Sequence, residues 1–410
     1  MTMSGILRWA VLVAFGAVLM ASSEAMAVGE ASADELAEKL SSERLPERIA
    51  AAKALAERSP EIDAALKPLG DALRDEYWAV RHHAMAALVE ADEKAVPVLI
   101  DALGREDFYS RWYAARALKR IGPAAAPAAE ALGDALRYGG VDVKVEAARA
   151  ALAAGQSEKV SDGLLVALEH RNPTVRDAAA EAIAEAGTKV IPGLTRLLSH
   201  SRREVRLAAA DALAGFGPEA APAADELVDA LKKECKVSWE KYGGIDSVAI
   251  RYSRMRDVIG SNTVARALER IGEPAAEPLA EALRSGQGGM ARWACRILRG
   301  ARGEALAPVI EPLLPYWKAE ADESWAWGSL RNDIAGVFRA AGRYAKPAIP
   351  AMIDGLSSDD ARMRKECAVI LGRIGSEAEK AVQPLEKLTS DENEDVQKAA
   401  RQAMKSIREG

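Results

Sequence analysis

Hydrophobic positions recur along this chain at helical spacing, and one such helix is written about eleven times. A single anchor position opens each copy: Arg48, Arg81, Arg111, Val145, Arg176, Arg206, Ser261, Arg292, Arg331, Arg364 and Gln397. Eight of the eleven are Arg, so the position carries a polar demand of its own. Three residues on stands a small or compact apolar residue: Ala51, Ala84, Ala114, Ala148, Ala179, Ala209, Val264, Cys295, Ile334, Cys367 and Ala400. Seven residues on comes a larger one: Leu55, Leu88, Leu118, Leu152, Ile183, Leu213, Leu268, Phe338, Leu371 and Met404, with Arg299 out of step. Offsets of three and seven place both residues on one buried stripe of a helix. Successive anchors lie 30 to 39 residues apart, except for one interval of 55. A repeat of that length is one helical hairpin, which buries its apolar face only by stacking on its neighbours.

The punctuation agrees. The anchor helix, helix B, ends at Ile121-Gly122, Phe216-Gly217, Ile271-Gly272 and Ile374-Gly375, where Gly supplies the left-handed turn that other residues resist. Five residues later Pro recurs at Pro97, Pro127, Pro192, Pro222 and Pro347, suited to opening the next helix. Helix A then carries spacing such as Leu66, Leu69 and Leu73 before a short polar turn. Segments such as Leu118-Lys-Arg-Ile-Gly-Pro-Ala-Ala-Ala-Pro127 and Asp75-Glu-Tyr-Trp-Ala-Val-Arg81 resemble HEAT repeats of the short bacterial, phycobilisome-lyase type, over residues 46 to 410. The resemblance implies an all-α, right-handed α-solenoid of ten to eleven stacked hairpins. The expected organisation is a signal peptide over 1–27, a capping helix over 28–47, repeats over 48–231 and an irregular insertion over 232–260. Repeats resume over 261–396, and 397–410 forms a closing helix.

Residues 1–27 stand outside the repeat. Arg8, the apolar run Trp9 to Met20 and the small-residue site Ala25-Met26-Ala27 have the order of a secretory signal peptide, with cleavage expected before Val28. An exported chain with no membrane span after cleavage is therefore expected. The net charge of −6 argues against nucleic acid, which requires a concentrated basic stripe. Of three Cys, Cys295 and Cys367 replace the small buried residue of the pattern and read as hydrophobic filler rather than a disulfide.

Candidate chemistry is sparse. The HEAT family includes deoxyhypusine hydroxylases, in which His-Glu pairs hold two irons, and proteins that attach or remove bilins. Neither His82, His83, His170 nor His200 is followed by Glu, so the ligands for such a centre are missing and no metal or cofactor is expected. Nucleophile-elbow, Walker, Cys-x-x-Cys and His-Glu-x-x-His motifs are absent from the sequence. The HEAT resemblance implies that the recurring Arg is a structural tie to a turn carboxylate of the same or the neighbouring repeat. The residue six before the anchor is acidic at Asp75 and Asp391 but is Arg105, His170, His200 or Ser358 elsewhere, so some Arg are expected to take a carbonyl at a helix end.

Two departures from the repeat carry the functional expectation. Aromatics are only 5% of the chain, yet Tyr77, Trp78, Phe108, Tyr109 and Trp112 cluster in two adjacent repeats, with Trp78 and Phe108 at one equivalent position and His82 and Trp112 at another, where a solenoid lines them into a strip. The long interval holds Trp239, Tyr242, Arg251, Tyr252 and Arg254, with seven Lys or Arg against four acids over 232–260. Trp317, Trp325 and Trp327 form a smaller group of the same kind. Aromatic and Arg side chains outside a repeat pattern are the types that dominate interfaces. The reading is a non-enzymatic scaffold with a protein partner.

Overall fold

In a computed structural model the described residues are 31–58, 62–242, 263–285, 290–318 and 325–409. They fold into α-helices joined by short turns and 3₁₀ segments, with no strand among them. The signal peptide, Ser261, Arg251, Tyr252 and Arg254 lie outside the described residues. The chain divides into two units, residues 1–190 and 191–410.

The first unit contains five hairpins: α1 (Ala33–Lys39) with α2 (Leu45–Ala56), α3 (Leu66–Ala72) with α4 (Trp78–Glu90), α5 (Val96–Leu103) with α6 (Phe108–Ile121), α7 (Ala129–Tyr138) with α8 (Val141–Ala153), and α9 (Ser161–Leu168) with α10 (Pro173–Ile183). The B helices α2, α4, α6, α8 and α10 pack each on the next. The second unit contains six: α11 (Ile191–Leu197) and α12 (Arg203–Phe216), α13 (Ala224–Tyr242) and α14 (Thr263–Ile271), α15 (Ala276–Arg284) and α16 (Met290–Ile297), α17 (Ala307–Lys318) and α18 (Trp325–Ala341), α19 (Ile349–Gly355) and α20 (Ala361–Ile374), α21 (Val382–Lys387) and α22 (Glu394–Glu409). Its B helices stack in the same order. Each unit is thus an α-solenoid.

Burial explains the pattern. Every residue at offset three from the anchor is buried, from Ala51 to Ala400; most are small, and Val264 and Ile334 show that a compact branched side chain also fits there. At offset seven, Leu55, Leu88, Leu118, Ile183, Leu213, Leu268, Phe338 and Leu371 are fully buried, whereas Met404 is half-buried at the chain's last helix. Gly122, Gly217, Gly272 and Gly375 adopt φ of 72°, 55°, 75° and 79°, the left-handed turn expected of them. Pro97 and Pro192 are second residues of their helices, but Pro127, Pro222 and Pro347 sit inside a 3₁₀ segment just before helix A.

Several boundaries differ from those expected. The first helix among the described residues is Ala33–Lys39, opened by a reciprocal Ser32–Glu35 capping box, and Leu45 already opens the helix that carries Arg48. The last helix opens at Glu394 rather than at Gln397. Residues 232–242 continue α13 as regular helix, so the stretch from Lys232 is not irregular that far. In the fourth hairpin the anchor is Lys144 rather than Val145. Helix B opens three residues before the anchor at Leu45, Trp78, Phe108, Pro173 and Arg203, and Val141 obeys that rule only for Lys144. From Lys144 the offsets fall on the buried Ala147 and Ala151, while Leu152 is half-buried.

Candidate functional site

The site is built on the turns that join helix A to helix B, and eight anchors, Arg48, Arg81, Arg111, Lys144, Arg176, Arg206, Arg364 and Gln397, close theirs. Arg48 Nη1 donates to the carbonyls of Ser42 and Glu43 at 2.9 and 3.3 Å. Arg81 Nη1 donates to those of Asp75 and Glu76 at 2.5 and 2.9 Å, and Arg111 Nη2 to that of Glu106 at 3.0 Å. Arg176, Arg206 and Arg364 repeat the geometry, each reaching carbonyls six and five residues back. Lys144 substitutes by donating to the carbonyls of Leu136 and Arg137, and burial pushes its ammonium below the usual lysine range. These carbonyls are the orphan acceptors that a helix C-terminus and its turn leave unpaired.

The carboxylate partner comes from the following repeat. Arg48 Nε donates to Asp75 at 2.7 Å, and Arg364 Nε to Asp391 at 2.8 Å. Asp75 and Asp391 therefore serve the preceding anchor with their carboxylates, and at the same turn the next anchor with a carbonyl: Arg81 takes that of Asp75 and Gln397 that of Asp391. A carboxylate six residues before its own anchor is not required by that anchor, but where Arg105 stands in the place of Asp75 the preceding anchor loses its acceptor, and Arg81 Nε is buried without a partner. Arg105 is held by Asp71 and Asp101, both at 2.9 Å.

This frame presents the aromatic group of the first unit. Trp78 is 68% exposed, Tyr77 42%, Phe108 44% and Tyr109 45%, at the start of helices that are otherwise packed. The guanidinium of Arg48 lies 5.7 Å from the Tyr77 ring centre, and that of Arg81 lies 3.9 Å from that of Tyr109. Each anchor thus braces the aromatic of the next turn by a cation–π contact. The rings also meet within each helix: Trp78 with His82 at 6.2 Å, and Phe108 with Tyr109 at 5.5 Å. His82 is exposed, and Trp112 is half-buried between Arg116 at 4.9 Å and Tyr113 at 4.8 Å. His83 is held below the usual imidazole range, first by burial and then by the neighbouring His82.

Tyr138, at the end of α7, is 79% exposed on the corresponding turn of the fourth repeat. It stands six residues before Lys144, whereas Trp78 and Phe108 stand three before their anchors, so the aromatic positions of the earlier repeats do not point to it. Trp317 belongs elsewhere. It is 3% exposed and packs on Phe338 with ring centres 5.9 Å apart, so it is core and unavailable to a partner. Its helix ends at Lys318, and the large ring fills the end of that hairpin. Trp239 and Tyr242 lie on α13, and Trp325 and Trp327 on α18. Cys295 and Cys367 are buried free thiols that burial pushes up to about 12. No group of three or more His, Cys, Asp or Glu able to hold a metal occurs among the described residues. No helix among them is long and apolar enough to cross a membrane.

Comparison with known sequences matches the family described as HEAT repeats at residues 66–153, 161–237 and 334–405, more than half of the chain. No curated protein matches. Among solved structures, an engineered protein is similar at 23% identity, with 92% of this chain and 99% of that chain covered and a TM-score of 0.39. The karyopherin Kap121p, bound to the extreme C-terminus of the phosphatase Cdc14p, is similar at 15% identity. There 92% of this chain and 45% of that chain are covered, with a TM-score of 0.49. The complex of CpcE and CpcF of phycocyanin lyase from Nostoc sp. PCC7120 is similar at 22% identity, covering 68% of this chain and 95% of that chain, with a TM-score of 0.31.

Proposed function

The chain belongs to the HEAT-repeat family, and from that premise we propose that it is a non-enzymatic interaction scaffold acting outside the cytoplasm, with the aromatic edge of its first unit as the partner-binding surface. The observation that carries this reading is the exposure of Tyr77, Trp78, Phe108 and Tyr109 on adjacent turns, while Trp293, Trp317 and Phe338 are buried. Exposed aromatics in a polar setting are the residues that dominate binding energy once a partner covers them. The anchors hold the turns before any partner arrives, so less ordering remains to oppose binding. Action outside the cytoplasm rests on Arg8, the run Trp9 to Met20 and Ala25-Met26-Ala27.

The test is capture from the exported fraction with the wild type, the Trp78→Ala/Phe108→Ala variant, and a variant with 243–256 replaced by a Gly/Ser linker. The expected result is capture by the first and third and loss by the second at unchanged melting temperature. Undiminished capture by the double variant would move the surface elsewhere, and loss on replacing 243–256 would assign it to the insertion. N-terminal sequencing of the recovered protein is expected to begin at Val28; an intact Met1 would overturn the compartment.

A further inference from the structure

The anchor that closes each turn also determines which side chain leaves it. The residue five before the anchor gives its carbonyl to the guanidinium, as Glu43, Glu76 and Glu106 do, and all three side chains are exposed. Two residues later stand Leu45, Trp78 and Phe108. Three consecutive repeats of the first unit therefore set a carboxylate and an apolar or aromatic side chain at the same two positions. The series stops at the fourth repeat, where Gly139 takes the acidic place, and the fifth has Arg171. Several cations along this edge are already engaged: Arg44 with Glu47 at 2.6 Å, Arg48 with Asp75, and Arg105 with Asp71 and Asp101. Arg74 is exposed. The rings next to this series already accept guanidinium groups, Arg81 over Tyr109 and Arg116 over Trp112.

We infer that this edge docks a segment of a protein partner in the polyproline II conformation, with Lys or Arg at every third residue. A cation beside a carboxylate and over an aromatic face gains from both. Adjacent helices in a stack lie about 8–10 Å apart, and three residues of polyproline II advance about 9 Å while returning the side chain to the same face. One basic side chain thus meets each repeat. The inference rests on the scaffold reading and adds the chemical class of the partner to it.

The test titrates the full chain with synthetic peptides of three Arg-Pro-Pro, three Leu-Pro-Pro or three Glu-Pro-Pro units, read by Trp fluorescence and calorimetry at low and raised salt. The Arg peptide is expected to bind, to weaken with salt, and to lose about fivefold in affinity in Glu76→Gln/Glu106→Gln. Because Glu76 lies 3.7 Å from Arg48, Glu106→Gln alone is a second variant and is expected to show part of the loss. Equal binding of the Leu peptide, or indifference to both variants, would overturn the charge class and leave the scaffold reading standing. Failure of all three peptides, with partner capture still lost in Trp78→Ala/Phe108→Ala, would do the same. A dimer in sedimentation that this variant dissolves would assign the edge to a second copy and overturn the inference. Capture indifferent to that variant would sink both readings.

Discussion

Replacing Arg48 by Met keeps most of the apolar stem and removes the guanidinium. The side chain is 11% exposed, so the stem's packing survives and the loss is polar. Gone are the bonds to the carbonyls of Ser42 and Glu43, the bond to Asp75 and the contact with the Tyr77 ring. A hydrogen bond to a charged group contributes about 1.5–3 kcal/mol, and breaking a buried ion pair costs about 3–5 kcal/mol. Asp75 retains a bond from the Tyr77 N–H at 2.8 Å and keeps a small exposed fraction, 11%, which moderates the cost to about 2–4 kcal/mol. Because repeats couple mainly to their neighbours, the damage is expected to localise to α1–α4. Hydrogen exchange followed by mass spectrometry checks this, with Arg48→Lys as a milder variant that keeps the charge but not the planar fork. A change below about 0.5 kcal/mol, or protection lost evenly along the chain, would refute the account of the anchor as a tie between adjacent turns.

Phe338→Ala removes a fully buried ring from under Trp317 and is expected to cost about 3–5 kcal/mol in denaturant unfolding; a cost under about 1 kcal/mol would return Trp317 to the surface. Cys295 and Cys367, pushed up to about 12 by burial, hold little thiolate at pH 8, so in a Cys235→Ser background iodoacetamide is expected to label them only on unfolding; rapid native labelling would contradict their burial. Burial and His82 depress the His83 pKa, so below the unfolded value the unfolded chain binds more protons than the folded one. That contribution is complete above the unfolded value and is lost as pH falls below it. Melting temperature is therefore expected to fall less between pH 7 and 5 in His83→Gln than in the wild type, and an equal fall would remove His83 from the balance.

Most of the fold was legible because a small or compact residue at offset three and a larger apolar one at offset seven answer the same packing demand in most hairpins. The demand on the anchor was harder to read. That the anchor meets a turn carboxylate or a helix-end carbonyl was legible, but which acceptor each anchor takes was not, because backbone carbonyls leave no trace in residue identity. Lys144 escaped notice for that reason, since donating to carbonyls needs a cation near the helix start rather than an Arg in strict alignment. Aromatic identity alone did not separate surface from core: Trp78 at a turn is exposed, whereas Trp317 near the end of a helix A is buried against Phe338. The acidic series was present in the sequence at Glu43, Glu76 and Glu106, but its meaning depends on the clamp that turns those side chains outward.

Site-specific photo-crosslinking tests the central claim most directly. A benzophenone amino acid placed at Phe108, and separately at the exposed Tyr344 of the second unit, would be irradiated with the partner bound. The account predicts a covalent adduct from position 108 and none from 344. An adduct from 344 with none from 108 would contradict it.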